Sequence, residues 1–266
     1  MEVTPTLNDV QALRQLTLAN EHVMICLCGV DVKQDVDTRV LQEAVRKITR
    51  IKMQMGGYHQ ISLAKAQGSR LVIEQEFTRD IDALVAAVPG VLSSADDDGI
   101  VDLDALFDDV LRYFSAQREM ECQAASSFRL LLIYRQVKQN PQLHIMHREV
   151  PVGFLNEPTC HLDIIYWHQD VPLEIAQVRP LAQLTLTQPV VTLLPCSQSV
   201  FDQLCLYDST NPLVKFYFLD VGGSVERLHQ ALVLVLSHPT NRLSQNGAEQ
   251  LIKSWFSSSK RVNPLN

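Results

Sequence analysis

Cysteine and histidine are the residues of this chain best suited to chemistry, and Cys160 beside His161 is the one adjacent pair that suggests a nucleophile with its base. The pair opens an apolar run, 161–167, whose length predicts a strand. Neighbouring side chains of a strand point to opposite faces, so His161 would not readily activate Cys160. We therefore expect a protein that is not an enzyme, and a cysteine hydrolase using Cys160 stays open as an alternative.

Other groups of potential metal ligands lack the spacing of known sites. They are Cys26-x-Cys28 with Cys160-His161, His144-x-x-His147 in a loop-like segment, and Asp96-Asp97-Asp98. The first has neither zinc-ribbon nor zinc-finger spacing, and the second has no identifiable third ligand. The aspartates lack the EF-hand pattern, and adjacent acids more often form a solvated loop. We predict no cofactor and no bound metal.

Composition narrows the classes of partner. The net charge of −7 argues against a surface that follows nucleic-acid phosphates, so we expect no direct nucleic-acid binding. No apolar run reaches the ~20 residues that a membrane span needs, and Met1–Asn20 lacks a signal-peptide core. We expect a soluble intracellular protein, not bound to membranes, whose six cysteines are mostly reduced core thiols.

Strands and helices alternate along the sequence and would position any site. Predicted strands cover 22–28, 58–64, 70–77, 128–134, 161–167 and 214–221. Predicted helices cover 37–55, capped by Asp37 or Thr38, then 80–88, ended by Pro89-Gly90, then 103–114, 199–206 and 224–237. Right-handed crossovers between such elements build an α/β fold, with a doubly wound, mainly parallel sheet and helices on both faces.

The chain is predicted to have three parts. Residues 1–21 form an N-terminal extension, and residues 22–245 form the α/β domain. Within that domain, four prolines predict an irregular proline-rich insertion near 170–198. Residues 246–266 form a tail with a possible short helix, where Trp255 could anchor a partner or dock on the domain itself.

An open α/β sheet places ligands at the carboxyl ends of its strands, so the end of the first strand is the place to look. No glycine-rich phosphate loop follows it. In von Willebrand factor A domains, this position begins an Asp-x-Ser-x-Ser site for Mg²⁺, but here the three residues are Cys28, Val30 and Val32. None supplies the hard oxygen ligand that Mg²⁺ requires, which predicts a degenerate metal site. A Mg²⁺-dependent adhesion-type binding module stays open as a second alternative.

Several stretches together resemble one family, the von Willebrand A-like scaffold subunit of the BRISC deubiquitinase complex and its nuclear DNA-repair counterpart, called the mediator of RAP-eighty interactions. The resemblance covers about residues 22–245. Its stretches are VMICLC (23–28), SRLVIEQEFTRD (69–80), DLDALFDDVL (102–111), FRLLLIYRQ (128–136), CHLDIIYWH (160–168) and KFYFLDVGGSVERLHQALVLVLSHPTNR (215–242). In the family the last helix leads into a His-Pro-x-x-Arg segment, which His238, Pro239 and Arg242 reproduce.

The resemblance implies a non-catalytic scaffold subunit of an assembly that cleaves lysine-sixty-three-linked polyubiquitin. Catalysis would come from a JAMM-type zinc deubiquitinase with its inactive partner. His238, Pro239 and Arg242 would contact a ubiquitin-conjugating-enzyme-like scaffold subunit, in the cytoplasm and the nucleus. Family members retain more of the adhesion-site pattern than this chain does, which sets metal-mediated binding in doubt without affecting a scaffold role.

Overall fold

One sheet of six strands organises the part of the chain that the computed structural model describes. The described residues are 20–29, 35–55, 58–68, 70–92, 101–121, 126–136, 143–144, 153–157, 159–168, 201, 204–207, 216–237, 244, 246–248, 250–251 and 254. The strands are β1 (Glu21–Cys28), β2 (Gln60–Gln67), β3 (Arg70–Thr78), β4 (Ser127–Gln136), β5 (Cys160–His168) and β6 (Tyr217–Gly222). They lie in the order β3-β2-β1-β4-β5-β6, and only the pair β2 and β3 is antiparallel.

Helices cover both faces of this sheet. They are α1 (Asp35–Gln54), α2 (Ile81–Leu92), α3 (Leu103–Glu121), the single turn α4 (Gly153–Asn156) and α5 (Val225–Val235). A 3-10 turn at Cys205–Tyr207 and a two-residue ladder between Val101–Asp102 and Leu143–His144 complete the described elements. The predicted doubly wound, mainly parallel α/β sheet is therefore confirmed, and its strand order and directions are von Willebrand factor A-like.

The core lies in two layers, one on each face of the sheet. Val23, Ile25 and Leu27 of β1 pack against α1, α2 and α5, whereas the alternate residues of β1 pack against α3 and α4. Because both faces are covered, the central strands are apolar almost throughout, as the sequence predicts for residues 128–134 and 161–167. Burying a leucine or isoleucine side chain stabilises the fold by about 1.5–3 kcal/mol.

Helix α1 begins at Asp35, two residues before the predicted cap, so the assignment of Asp37 or Thr38 as N-cap is wrong. The apolar face was predicted correctly, because Leu41, Ala44 and Val45 are buried against the sheet. The carboxylate of Asp37 accepts hydrogen bonds from Arg135 at the end of β4. Asp37 therefore forms an ion pair from inside the helix and is not its cap. The local sequence does not reveal this role, so the helix start was predicted too late.

Helix α2 continues through Pro89 to Leu92, so the predicted helix end at Pro89-Gly90 is wrong. Proline has no amide hydrogen, and inside a helix it leaves the carbonyl four residues earlier without its donor. That carbonyl belongs to Val85, and the side-chain amide of Gln42 donates to it at 3.3 Å. Lys65 donates to the carbonyl of Gly90 at 3.0 Å. Gln42 of α1 thus replaces the donor that proline lacks, and Lys65 of β2 satisfies a carbonyl in the last turn of the helix.

The last described elements agree with the predicted order. Strand β6 and helix α5 follow one another, and the hydroxyl of Ser224 accepts a hydrogen bond from the amide of Arg227 as the helix cap. Residues 1–19 of the predicted extension, the proline-rich insertion and most of the tail lie outside the described residues, and Glu21 belongs to β1 instead of the extension. None of the described helices combines the length and apolar character that a membrane span requires.

Candidate functional site

The carboxyl ends of β1 and β4 form the edge at which an α/β sheet of this order opens a ligand crevice. The chain crosses from β1 to β2 on one side and from β4 to β5 on the other, so the strand order reverses between β1 and β4. Cys28 is the last residue of β1 and is fully buried. The other two positions of the predicted degenerate metal site, Val30 and Val32, lie outside the described residues.

A buried guanidinium group occupies this edge. Arg135, near the end of β4, is 3% exposed, and its Nη2 and Nε lie 3.1 and 3.2 Å from Oδ2 of Asp37. The guanidinium carbon lies 4.0 Å from the centre of the Trp167 ring, a cation–π contact, and Nη1 donates to the carbonyl of Trp167 at 3.4 Å. Arg135 and Asp37 therefore form a buried ion pair close to Gly29 at the end of β1.

Close packing at Gly29 seals the tip of β1 against β4. Gly29 has φ +76°, a conformation that other L-residues rarely adopt. A Cβ atom there would lie 2.9 Å from the carbonyl oxygen of Arg135 and 3.1 Å from the ring of Tyr134. The two strand ends consequently meet with no space for a larger residue.

His168 and Asp220 form a second polar pair, at the ends of β5 and β6. The histidine Nε2 lies 3.1 Å from Oδ1 of Asp220, and the imidazole stacks on Tyr166 with 4.4 Å between ring centres. Partial burial acts to raise the pKa of Asp220, but the hydrogen bonds from His168 and the amide of Gly222 outweigh it and lower that pKa overall. This pair joins the ends of two neighbouring strands.

Cys160 lies at the opposite end of β5 in an environment unsuited to a nucleophile. Its thiol is buried in the core layer of α3, and burial raises its pKa to about 12. Arg118 acts in the opposite direction without restoring an ordinary value. A thiol with this pKa is protonated at neutral pH and reacts poorly. The described cysteines Cys26, Cys28, Cys160 and Cys205 form no disulfide with one another, which agrees with the predicted reduced state for these four.

The amino edge of the sheet holds the C-terminal end of α5. The two terminal nitrogens of the Arg129 guanidinium donate to the carbonyls of Val235 and Ser237, the second at 2.9 Å. The ammonium group of Lys52, at the end of α1, donates to the carbonyl of Leu236 at 3.1 Å. Cations stabilise the exposed carbonyls at a helix C-terminus, and here both cations are buried.

Two buried carboxylates balance these cations. Nε of Arg129 lies 2.9 Å from Oε1 of Glu21 and 3.6 Å from Oδ2 of Asp163, and Lys52 pairs with Glu21. Asp163 also accepts from the amide of Tyr217 at 3.2 Å. We call Glu21, Lys52, Arg129 and Asp163 the amino-edge network. Their side chains are at most 3% exposed, so the network fixes where α5 ends.

The predicted partner-binding residues His238, Pro239, Arg242 and Trp255 lie outside the described residues. Ser237, whose carbonyl accepts from Arg129, immediately precedes His238. Among the predicted metal ligands, His144 lies in the two-residue ladder, while Asp96-Asp97-Asp98 and His147 are not described. Within the described ranges, no group of three potential ligands is close enough to hold a metal ion.

The sequence-based reasoning missed Arg129, Arg135 and Lys52. A signal was present for the two arginines, because Arg129 interrupts the predicted buried strand 128–134 and Arg135 follows it directly. A charged residue in a buried strand requires a partner, so each arginine predicts a long-range ion pair. The identity of that partner is not encoded locally.

Comparisons with known proteins found only distant structural likeness. No protein-family profile and no curated protein matches the chain. The SpRpn10 VWA domain matches with a TM-score of 0.46 and 12% identity, over 84% of this chain and 99% of that chain. Proximal thread matrix protein 1 from the mussel byssus matches with a TM-score of 0.45 and 7% identity, over 82% of this chain and 45% of its own length.

A third structure, an aerotolerance-related membrane protein from Bacteroides fragilis, matches with a TM-score of 0.35 and 10% identity, over 55% of this chain and 66% of that chain. At such values the assignment of the fold depends on the strand order and strand directions of the chain itself.

Proposed function

We propose that this chain is a non-catalytic scaffold subunit of a deubiquitinase complex that acts on lysine-sixty-three-linked polyubiquitin, in the cytoplasm and the nucleus. It contacts a ubiquitin-conjugating-enzyme-like scaffold subunit through His238, Pro239 and Arg242, with Trp255 as a further anchor. A JAMM-type zinc deubiquitinase with its inactive partner supplies the catalysis. The proposal combines the sequence resemblance with the geometry of both edges of the sheet.

The amino-edge network is the observation that carries the proposal. Arg129 and Lys52 hold three successive carbonyls, of Val235, Leu236 and Ser237, at the point where the chain enters the His-Pro-x-x-Arg segment. A binding segment that starts from a fixed point loses less conformational freedom when it meets its partner. Pro239 restricts the backbone further, and Arg242 offers a planar group with several donors.

We call the edge formed by the carboxyl ends of the parallel strands the carboxyl edge. Its contacts favour a role in assembly over metal-dependent adhesion. Arg135 and Asp37 form a buried ion pair beside the end of β1, and this pair leaves no spare carboxylate for a cation. Arg135 is already neutralised by Asp37, so this carboxylate is engaged and is a poor candidate for a metal ligand. The high pKa of the Cys160 thiol likewise disfavours the hydrolase alternative.

Native purification of the tagged chain followed by mass spectrometry tests the proposal. We expect recovery of a ubiquitin-conjugating-enzyme-like subunit and a JAMM-type protease, and recovery of neither would contradict the proposal. Calorimetric titration with MgCl₂ tests the adhesion-type alternative, which requires ligand binding that depends on the metal. A thiol-reactive substrate probe tests the hydrolase alternative, which requires labelling that Cys160→Ser abolishes.

A further inference from the structure

Helix α1 presents a basic face to solvent. Arg39, Arg46, Lys47 and Arg50 line a shallow depression of about 490 Å³ along the helix. Glu43 is the one carboxylate among its described lining residues, and it pairs with Lys47. The whole chain carries a net charge of −7, so this face is opposite in sign to the protein as a whole. A local positive surface on an acidic protein selects partners by charge.

Helix α5 presents an exposed apolar row beside it. Val225 and Val233 are 37% and 53% exposed, and with His229 they recur at four-residue steps along one face. These three residues, with Glu226 and Gln230, line a second shallow depression of about 580 Å³. A protein partner with hydrophobic side chains can contact these two valines. The phosphate backbone of a nucleic acid has no such side chains.

The two depressions lie on helices that contact each other. Helices α1 and α5 pack against each other, and His229 lies within electrostatic range of Lys47 and Glu43. Burial first, and the charge of Lys47 second, lower the pKa of His229, so the imidazole is neutral at neutral pH. Within the described residues, Nε2 of His229 and Oε1 of Gln230 lack hydrogen-bond partners. His229 thus lies in the depression of α5 and interacts with charged residues that line the depression of α1.

We infer that this α1–α5 face binds an acidic amphipathic helix of another protein. Hydrophobic side chains of that helix lie over Val225 and Val233, and its carboxylates pair with Arg39, Arg46 and Arg50. Arginine suits this role because its planar fork binds carboxylates through two hydrogen bonds. None of these residues belongs to the segment 238–242, so variants can test the inference and the proposed scaffold contact separately.

Fluorescence anisotropy with a labelled synthetic peptide tests the inference. The probe is a helical peptide with glutamates on one face and leucines on the other, and the control peptide has the same composition in scrambled order. We expect the full chain to bind the amphipathic peptide at least about tenfold more tightly than the scrambled one. Raising the salt concentration should weaken that binding.

Variants separate the two halves of the face. Arg46→Ser/Arg50→Ser and Val225→Ser/Val233→Ser should each weaken peptide binding by about tenfold. Arg112→Ser is the matched control, because Arg112 is 78% exposed on α3, on the other side of the sheet, and it should leave binding unchanged. Pro239→Ala/Arg242→Ala should also leave it unchanged, which distinguishes this face from the scaffold contact.

Any of the following results would overturn the inference. The first is equal affinity for the amphipathic and scrambled peptides. The second is unchanged binding in both double variants. The third is preferential binding of a single-stranded oligonucleotide, or self-association that Val225→Ser/Val233→Ser abolishes, since either would assign the face to a different occupant.

Discussion

Replacing Arg129 with methionine should destabilise the fold more than almost any other single change, because it unbalances the amino-edge network. In the native protein, two carboxylates and two cations share a site in which no side chain is more than 3% exposed. Methionine fills much of the same volume, so the effect of a cavity is small. The substitution leaves Glu21 and Asp163 with Lys52 as the one remaining cation of the network.

The magnitude follows from two contributions. Removing one partner of a buried ion pair costs about 3–5 kcal/mol, because the remaining charge is buried without compensation. The carbonyls of Val235 and Ser237 also lose their donors, at about 0.5–1.5 kcal/mol each. Together these give about 4–8 kcal/mol, against a total stability of about 5–15 kcal/mol for a typical domain.

Urea denaturation followed by circular dichroism measures this loss in the free energy of unfolding. Arg112→Met is the control, since its ion pair with Asp109 is exposed on the arginine side and should contribute less than about 1 kcal/mol. The double variant Glu21→Gln/Arg129→Met restores the balance of charge, and we expect it to lose less stability than the sum of the two single variants. A loss below about 1 kcal/mol in Arg129→Met would refute the reasoning.

Three further predictions concern the carboxyl edge. Asp37→Asn leaves the guanidinium of Arg135 without its counter-charge and should lower the free energy of unfolding by about 3 kcal/mol in urea, whereas Glu43→Gln should lower it by less than about 1 kcal/mol. Gly29→Ala should cost at least about 2 kcal/mol, because φ is +76° and the new Cβ meets the carbonyl of Arg135, and a neutral effect on the melting temperature would contradict this. The pKa of Asp220 is lowered in the folded state, so its stabilisation is present above about pH 4 and is lost as the pH falls through the lowered pKa. Asp220→Asn should flatten that part of the stability curve, and an unchanged curve would exclude Asp220 as its source.

The fold was predictable where the information is local. The apolar run of β1 and the three- and four-residue spacing of Leu41, Ala44 and Val45 follow from burial on a strand and on one helix face. The hairpin between β2 and β3 was predictable from Gly68, whose φ of +60° suits a tight turn. Alternation of these elements then restricts the sheet to a mainly parallel arrangement.

The polar contacts at the two edges of the sheet were less predictable than the fold. Each of them joins residues that are distant in the sequence. Arg129 bonds a carbonyl 106 residues away, and Lys52 bonds one 184 residues away. Pro89 predicts a helix end until Gln42, on another helix, supplies the missing donor. In each case the decisive contact exists only after the chain has folded, so the residue itself signals that a partner is needed without identifying it.

Calorimetry with the purified chain and the proposed partner, the ubiquitin-conjugating-enzyme-like subunit, tests the proposed scaffold contact most directly. We expect Pro239→Ala/Arg242→Ala to weaken binding by at least about tenfold, while the fold and the melting temperature are retained. Asn241→Ala, a change within the same segment, should alter the affinity by no more than about twofold. Equal affinity for the wild-type chain and the double variant would contradict the account.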